Sequence, residues 1–526
     1  MKIALAQLNY TIGDIDGNTS KIIDSINKAK AQRADLVIFA EQAVSGTPAF
    51  DLLRKTTFLE LCEDALVEIA SCCDGIAAIV GLPILTADGT ISAAALIQDR
   101  KVLRYIGKKY ITARREMGFL VPSKGYEYAT IKGHKCAIIV GDDLSRERDF
   151  DQSVETVISI NARKYGKGTM TYRYEMMRNL AFVESKNLVL VNQVGGSTDI
   201  VYDGTSGALN SRGELVLMMK NFEEDFQIFD TKASARPISI PSTYNDRTRL
   251  VYEAARCGLR DFFRKNGYRK ASIGLSGGID SAVVASIAAD ALGAENVRAL
   301  LMPSPFSSLE SVEDAKELAR NLGIEYNVIP ISEIYTSVVN TLKPVIGGTE
   351  FDATEENIQT RIRTVLLMAV QNKTDYILLN SSNKSENALG LCTLYGDTAG
   401  AFSPTGDLYK SEMYDVARYI NRTFGNVIPE NILDKEPSSE LHPGQKDSDI
   451  LPPYEVVDAI LLRMIEEGQH REEIVNAGFD SEVVEKIHCM IMRNEKKRYQ
   501  FPPVLRLSMC SFGHERLMPL TNKYGD

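Results

Sequence analysis

Apolar runs of strand length punctuate residues 1–230: IALAQL (3–8), ADLVIFAE (34–41), GIAAIVGLPIL (75–85), CAIIVG (136–141) and LVLVNQVGG (188–196). Each is followed by turn or loop residues, the pattern of buried strands. Between the first two, Asn18 to Arg33 carries apolar positions at helical spacing. Strands this continuously apolar belong in sheets covered on both faces, by helices or by another sheet. Periodicity then lapses over TKASARPISIPSTYN, where Pro237, Pro241 and Ser242 mark a linker at 231–245. Beyond it the pattern predicts a helix from Thr248 to Asn266, then the strands ASIGL, VRALLMP, YNVIPI and DYILLN alternating with helical segments. That alternation predicts an α/β fold with a doubly wound parallel sheet in residues 246–526, separate from a domain at 1–230. No internal repeat or low-complexity segment interrupts either part.

Composition narrows the partners. The chain has 526 residues, 44% of them hydrophobic, too many for one core. No apolar stretch reaches membrane-spanning length, and the N-terminus enters a strand at once, without the pattern of a signal peptide. Eight cysteines are scattered without CxxC or Cys/His zinc spacing, which fits a reduced, cytoplasmic protein. A net charge of −10 argues against a broad nucleic-acid surface, leaving room for a local phosphate pocket.

The sharpest chemical signal is SGGIDS, comprising Ser276, Gly277, Gly278, Ile279, Asp280 and Ser281, set between the strand ASIGL and the helix SAVVASIAADALG. Two glycines permit a sharp turn whose N–H groups face an anion, and the helix start adds positive dipole. Ser276 and Ser281 can donate hydroxyls to phosphate oxygens, whereas the Asp280 carboxylate requires Mg²⁺ between itself and the phosphates. The loop lacks the GxxxxGK[ST] of a Walker motif.

The loop resembles that of the N-type ATP pyrophosphatases, which cleave ATP between its α and β phosphates to adenylate a carbonyl oxygen. With DALGAENVRALLMPSPFSSLESVEDAKELARNLGI, ENIQTRIRTVLLM, NKSENALG, TLYGD, KEPSSELHPGQKDSDILPPYEVVD, KKRYQFPP and SFGHER in order, the C-terminal half resembles the NAD⁺ synthetase family, an adenine-nucleotide α-hydrolase-like fold. That resemblance implies that Met302 packs on the adenine, and that Ser381, Lys410 and Ser438 contact ATP. It implies a second Mg²⁺ ligand at Glu386, opposite Asp280, and deamido-NAD contacts from Asn357, Arg361, Glu386 and Lys497. Arg363 is open between a phosphate contact and a helix salt bridge. The chain departs from the family where TGNKSE becomes Ser381-Ser382-Asn383-Lys384, where an aromatic becomes Leu391, and where DTAGAF, with Ala401, replaces a Gly-Gly turn.

Residues 1–230 resemble the nitrilase superfamily, through ALAQLNYTIGDIDGN, ADLVIFAEQAVSGTPAFDLL, KKYI, AIIVGDD and NQVGGSTDIVYDGTS. The resemblance implies an αββα sandwich and an amidase site with a Glu base, a Lys beside the oxyanion and a Cys nucleophile. Glu41 matches the base, Lys108 the lysine (Lys109 in the alternative register), and Glu116 the family's second, structural glutamate. The strand that ends in Cys-Glu-Asp in the family ends here in Gly141-Asp142-Asp143, which closes the thioester route. Cys136 stands five residues upstream, roughly 16 Å away and on the opposite face, so it is no substitute. The expected Ser-Pro pair after the next strand is Ala162-Arg163.

Together these resemblances imply an ATP-dependent ligase that converts deamido-NAD to NAD⁺ through an adenylate, with ATP and Mg²⁺, and with free ammonia as the amine. A homo-oligomer is expected. The alternatives are an adenylating ligase for another carboxylate or amine, and a nucleotide-binding regulatory pseudoenzyme.

Overall fold

The computed structural model describes residues 1–232, 236–347 and 350–523, so residues 233–235 of the expected linker lie outside it. The chain forms two compact units, Met1–Arg247 and Thr248–Asp526. The boundary therefore falls two residues past the expected linker.

In the first unit the chain runs through β1 (Lys2–Gln7), α1 (Ile15–Ala31), β2 (Leu36–Ile38), α2 (Thr56–Ser71), β3 (Ala77–Thr86), β4 (Gly89–Gln98) and β5 (Lys101–Gly107). There follow β6 (Glu127–Ile131), β7 (His134–Val140), β8 (Thr156–Asn161), α3 (Thr169–Glu184), β9 (Asn187–Asn192), β10 (Val194–Ser197) and β11 (Ile200–Asp203). The last strands are β12 (Gly207–Leu209), β13 (Leu215–Met218) and β14 (Asp225–Asp230). Two six-stranded sheets result, in the orders β14-β1-β2-β3-β4-β5 and β13-β12-β9-β8-β7-β6.

Strand alternation explains why the sequence runs looked apolar throughout. Ile3, Leu5, Leu36, Ile38 and Ile79 on one sheet meet Ile138, Val140, Ile158, Ile160 and Val189 on the other. Their neighbours Ala4, Ala6, Val37, Ala78 and Val80 pack outward on Ile22 and Ile26 of α1 and Leu59 and Leu66 of α2. On the other sheet Ala137, Ile139, Val157 and Leu188 pack outward on Met177 and Leu180 of α3. The central strands are thus dry on both faces, and the unit is the expected αββα sandwich. Helix α1 starts earlier than the periodicity predicts, because the Asp14 side chain accepts from Gly17 N at 3.2 Å and caps it.

The second unit begins with α4 (Arg247–Lys265) and continues through β15 (Lys270–Gly274), α5 (Ile279–Leu292), β16 (Val297–Leu301), α6 (Leu309–Leu322) and β17 (Glu325–Val328). Then come α7 (Ser332–Ile346), α8 (Ala353–Lys373), β18 (Tyr376–Leu378), α9 (Lys384–Leu389), α10 (Lys410–Phe424), α11 (Glu430–Asp434) and α12 (Tyr454–Ile465). Helices α13 (Arg471–Asn476), α14 (Ser481–Arg493) and α15 (Glu495–Arg498) complete the order. The sheet is parallel throughout, in the order β17-β16-β15-β18. The chain winds outward from β15 to β17 and returns on the other side as β18. The reversal lies at the end of β15, where the loop SGGIDS begins, and such a switch point leaves a crevice for a ligand.

One polar contact binds the first sandwich to α3. Arg173 is 2% exposed and its Nη2 donates to both oxygens of the fully buried Asp203, at 2.9 and 3.0 Å. Asn192 Nδ2 adds a bond to Asp203 at 3.1 Å, and Arg173 Nη1 donates to the Gly204 carbonyl at 3.1 Å. Removing one partner strands the other in a dry core. Asp203→Ala is therefore expected to lower stability by about 3–5 kcal/mol, read from urea unfolding, while Arg173→Leu/Asp203→Leu together recovers most of that loss.

Candidate active site

In the second unit, β15 delivers the loop that opens α5. Gly277 sits at φ +84°, and a Cβ there would fall 2.1 Å from the Ser311 carbonyl oxygen, so both the backbone and the close approach demand glycine. The loop is held from within. Ser281 Oγ donates to Gly278 O at 3.1 Å, Ser276 N to Ser281 Oγ at 3.3 Å, and Gly278 N to Ser276 Oγ at 3.2 Å.

Three of the expected residues meet at one point. Lys410 Nζ donates to Asp280 Oδ2 at 2.5 Å and to Glu386 Oε1 at 3.1 Å. Asn383 Nδ2 donates to Asp280 Oδ1 at 3.0 Å, while its own Oδ1 caps α9 by accepting from Glu386 N at 2.9 Å. Asp458 of α12 fixes the frame by accepting from Ser385 Oγ and from Ser411 N, and Lys410 N in turn donates to Ser385 Oγ at 2.9 Å. The electrostatics are unbalanced: one ammonium faces two carboxylates. Enclosure by protein raises Glu386 to about 7 against the pull of Lys410, with the Asp280 charge adding to the rise. Lys410 itself stays charged, because the two carboxylates outweigh the cost of its burial. Two hard oxygen donors with a net negative charge are of the kind that fit a divalent cation.

A second group converges on the turn after α9. Lys497 Nζ donates to the Gly390 and Cys392 carbonyls at 2.7 and 2.8 Å, and Arg361 Nε to Leu394 O at 3.2 Å. Asn357 Oδ1 accepts from Thr393 Oγ1 at 2.6 Å. Arg363 takes a backbone partner. Its Nε donates to the Met302 carbonyl at 3.0 Å and so ties α8 to the end of β16, where Met302 packs with Leu300, Ile358 and Ile362. Ser381 is half-buried after β18. Ser438 is engaged in its own loop, donating to Gln445 O at 2.6 Å and accepting from Glu440 N at 3.1 Å. Leu391 packs on the apolar cluster of α12 and α14, and the Ser382 carbonyl accepts from Thr405 Oγ1.

Two residues escaped the sequence reading. Asn383 precedes KSE as a helix cap, a pattern that could have marked it. Asp397, the last residue of TLYGD, meets solvent yet lies among enough protein to raise it to about 6, despite Lys497, Arg363 and Arg361 nearby.

In the first unit, Glu41 Oε1 accepts from Ser92 Oγ at 2.8 Å and from Lys108 Nζ at 3.1 Å, and Lys108 Nζ reaches Glu116 Oε2 at 3.3 Å. Lys109 is turned away, its half-exposed Nζ on Glu147 at 3.1 Å. Gly141 follows β7 at φ +60°, and a Cβ there would point straight at this pair, 2.7 Å from Glu41 Oε2 and 3.0 Å from Lys108 Nζ. Burial raises Glu41, whereas Glu41, Glu116 and Asp142 overcome the burial of Lys108 and keep it charged. Burial would raise Asp142 too, but Lys108 and Arg163 outweigh it and hold its carboxyl below the usual range. Arg163 Nη2 lies 3.6 Å from Asp142, and Thr112 Oγ1 donates to the same carboxylate. Cys136 lies in the core between the two sheets with its thiol raised to about 12, remote from this chemistry. Glu41, Lys108 and the backbone of Gly141 thus meet at one buried point.

Comparison with known proteins matches residues 251–501 to the NAD synthase family and residues 2–237 to the carbon-nitrogen hydrolase family. The chain is 37% identical over 532 residues to a glutamine-dependent NAD(+) synthetase of Acinetobacter baylyi, covering 99% of this chain and 98% of the relative. It is 38% identical over 568 residues to that of Aquifex aeolicus, covering 100% of each. A solved glutamine-dependent NAD⁺ synthetase from Acinetobacter baumannii, in complex with ADP, is 35% identical with a TM-score of 0.76, covering 99% of this chain and 98% of that one.

The raised Glu386 gives a pH signature with a definite sign. Between its ordinary value of 4.5 and about 7 the folded chain holds the proton more tightly than the unfolded chain. The stability that Glu386 contributes is therefore fully present below pH 4.5 and lost as pH rises through 7. In chelator, the stability difference between wild type and Glu386→Gln is expected to change across that window in chemical denaturation. A pH-independent difference would remove the titration from Glu386.

Proposed function

The chain belongs to the glutamine-dependent NAD(+) synthetases, carbon–nitrogen ligases with an N-terminal carbon-nitrogen hydrolase domain, and on that premise we propose that it takes its nitrogen from free ammonia. The observation that carries this is Gly141. It occupies a backbone position aimed at Glu41 and Lys108, and it supplies no atom that could attack an amide. Arg163 and Asp142 add a second ion pair to that pocket, so the change extends beyond one residue.

The ligase half has the parts for adenylation. N–H groups of the Ser276–Ser281 loop and the start of α5 hold the phosphates of ATP, with Ser381, Lys410 and Ser438 as further contacts and Met302 on the adenine side. Asp280 and Glu386 would hold Mg²⁺, which supplies positive charge to the departing pyrophosphate. An oxygen of the nicotinate carboxylate of deamido-NAD bonds to the α-phosphorus, the bond from that phosphorus to the β-bridging oxygen breaks, and pyrophosphate leaves. Ammonia then attacks the acyl carbon, AMP departs with the bonding pair, and a proton passes to solvent. Asn357, Arg361 and Lys497 position the dinucleotide by bracing the 390–394 turn. Catalysis rests on placement and charge, as expected where side chains form no covalent bond. The homo-oligomer expected from the sequence belongs to the same reading.

Leu391 favours ordinary acceptor chemistry over an altered one, because it completes the helical core of the second unit. The convergence of Asp280, Glu386 and Lys410 argues for catalysis over a purely regulatory nucleotide site.

Purified protein with ATP, Mg²⁺ and deamido-NAD is expected to form NAD⁺ with ammonium and to release no glutamate from glutamine. Substrate-dependent glutamate release would overturn the ammonia reading. Gly141→Cys alone is expected not to restore it, since a side chain at φ +60° is strained and Arg163 and Asp142 remain. Asp280→Ala is expected to cut pyrophosphate release by at least about 100-fold without loss of fold. Wild-type release from that variant would refute the metal assignment.

A further inference from the structure

The segment from Lys435 to Lys446 carries Ser438, and it is fastened at one end by a side chain that the sequence reading passed over. Glu440 takes an unfavourable backbone conformation for a non-glycine residue, φ +48°. Its carboxylate accepts from Ser308 N at 3.1 Å, Ser308 Oγ at 2.8 Å and Ser311 Oγ at 2.7 Å. Ser308 is the cap of α6, so a carboxylate at this place also meets the positive end of the helix. Lys435 Nζ closes the same cluster on Ser311 Oγ at 2.7 Å and Asp314 Oδ2 at 3.0 Å.

The first turn of α6 is what Gly277 touches. The Ser311 carbonyl would lie 2.1 Å from a Cβ at that position, so the phosphate loop and the Glu440 cluster press on the same backbone from different sides. The far part of the segment is held separately, on α8: Gln359 Nε2 donates to Leu441 O at 2.8 Å, and His442 pairs with Glu356 at 2.6 Å. Ser438 and Glu440 are themselves joined, through the bond from Glu440 N to Ser438 Oγ.

From this we infer that Glu440 is a positioning residue for ATP: it locks the Ser438 segment and the first turn of α6 against the phosphate loop. The inference rests on the reading of Ser276–Ser281 as that loop. Because the α8 anchors are separate, loss of Glu440 disturbs the ATP side and leaves the dinucleotide side in place.

The test uses the full-length chain and follows pyrophosphate release with ATP, Mg²⁺, deamido-NAD and ammonium. Glu440→Gln keeps the shape and removes the charge. It is expected to raise the KM for ATP or lower kcat so that kcat/KM for ATP falls about 10- to 100-fold, the scale of charge-assisted hydrogen bonds. The KM for deamido-NAD is expected to change less than about twofold. Glu440→Asp is expected to recover part of the loss. His442→Gln serves as the reverse control, sparing the KM for ATP. Trypsin cleavage after the exposed Lys446 is expected to quicken in Glu440→Gln and to be slowed by ATP less than in wild type. Wild-type ATP kinetics in Glu440→Gln, with Asp280→Ala inactive, would overturn the inference and leave the phosphate loop standing. Activity in Asp280→Ala would instead refute the reading beneath it. Equal losses for both substrates would show general loosening and overturn the inference as well.

Discussion

The ammonium of Lys410 between Asp280 and Glu386 is the contact on which the catalytic half depends. Each of the three residues lies in the first turn of a different helix, α5, α9 or α10, so the contact fixes how those helices start relative to the sheet. Ser385 accepts from the backbone of Lys410 and Asn383 from that of Glu386, while Asn383 also donates to the Asp280 carboxylate. The ammonium neutralises one carboxylate of the two, and the second is left in a setting that resists ionisation. A buried cluster with that deficit attracts further positive charge, and the adjoining loop offers N–H groups to anions.

The first unit repeats the motif of one ammonium between two carboxylates. Lys108 is shared by Glu41 and Glu116, with Arg163 facing Asp142 beside them. The geometry of an amidase remains legible in the direction of the missing Cβ at Gly141. Its scaffold is a sandwich whose central strands are dry on both faces, and that packing does not depend on chemistry in the pocket. Apolar burial and the Arg173–Asp203 pair hold it together.

Local order was written plainly in the sequence. Apolar runs located the strands, the linker prolines lay close to the unit boundary, and SGGIDS sat where β15 turns into α5. Gly141 directly follows β7 and Glu41 lies just past β2, places that the apolar runs marked. Which lysine meets Glu41 was not local: Lys108 reaches it across 67 residues. Arg363 likewise found a partner 61 residues away, at the Met302 carbonyl, which helix periodicity does not specify.

The sequence by itself determined what each segment could become, because periodicity, glycine and capping residues act within a few positions. Only the tertiary structure decided which side chains share a point in space. Lys410 meets Asp280 across 130 residues and Glu440 meets Ser308 across 132, contacts set by how the helices pack on the sheet. The same cause settled Leu391, whose neighbours on α12 and α14 lie far along the chain and make it part of a core. Residue type offers a donor, an acceptor or an apolar surface; the packed fold selects the partner and, through burial, the charge it will bear.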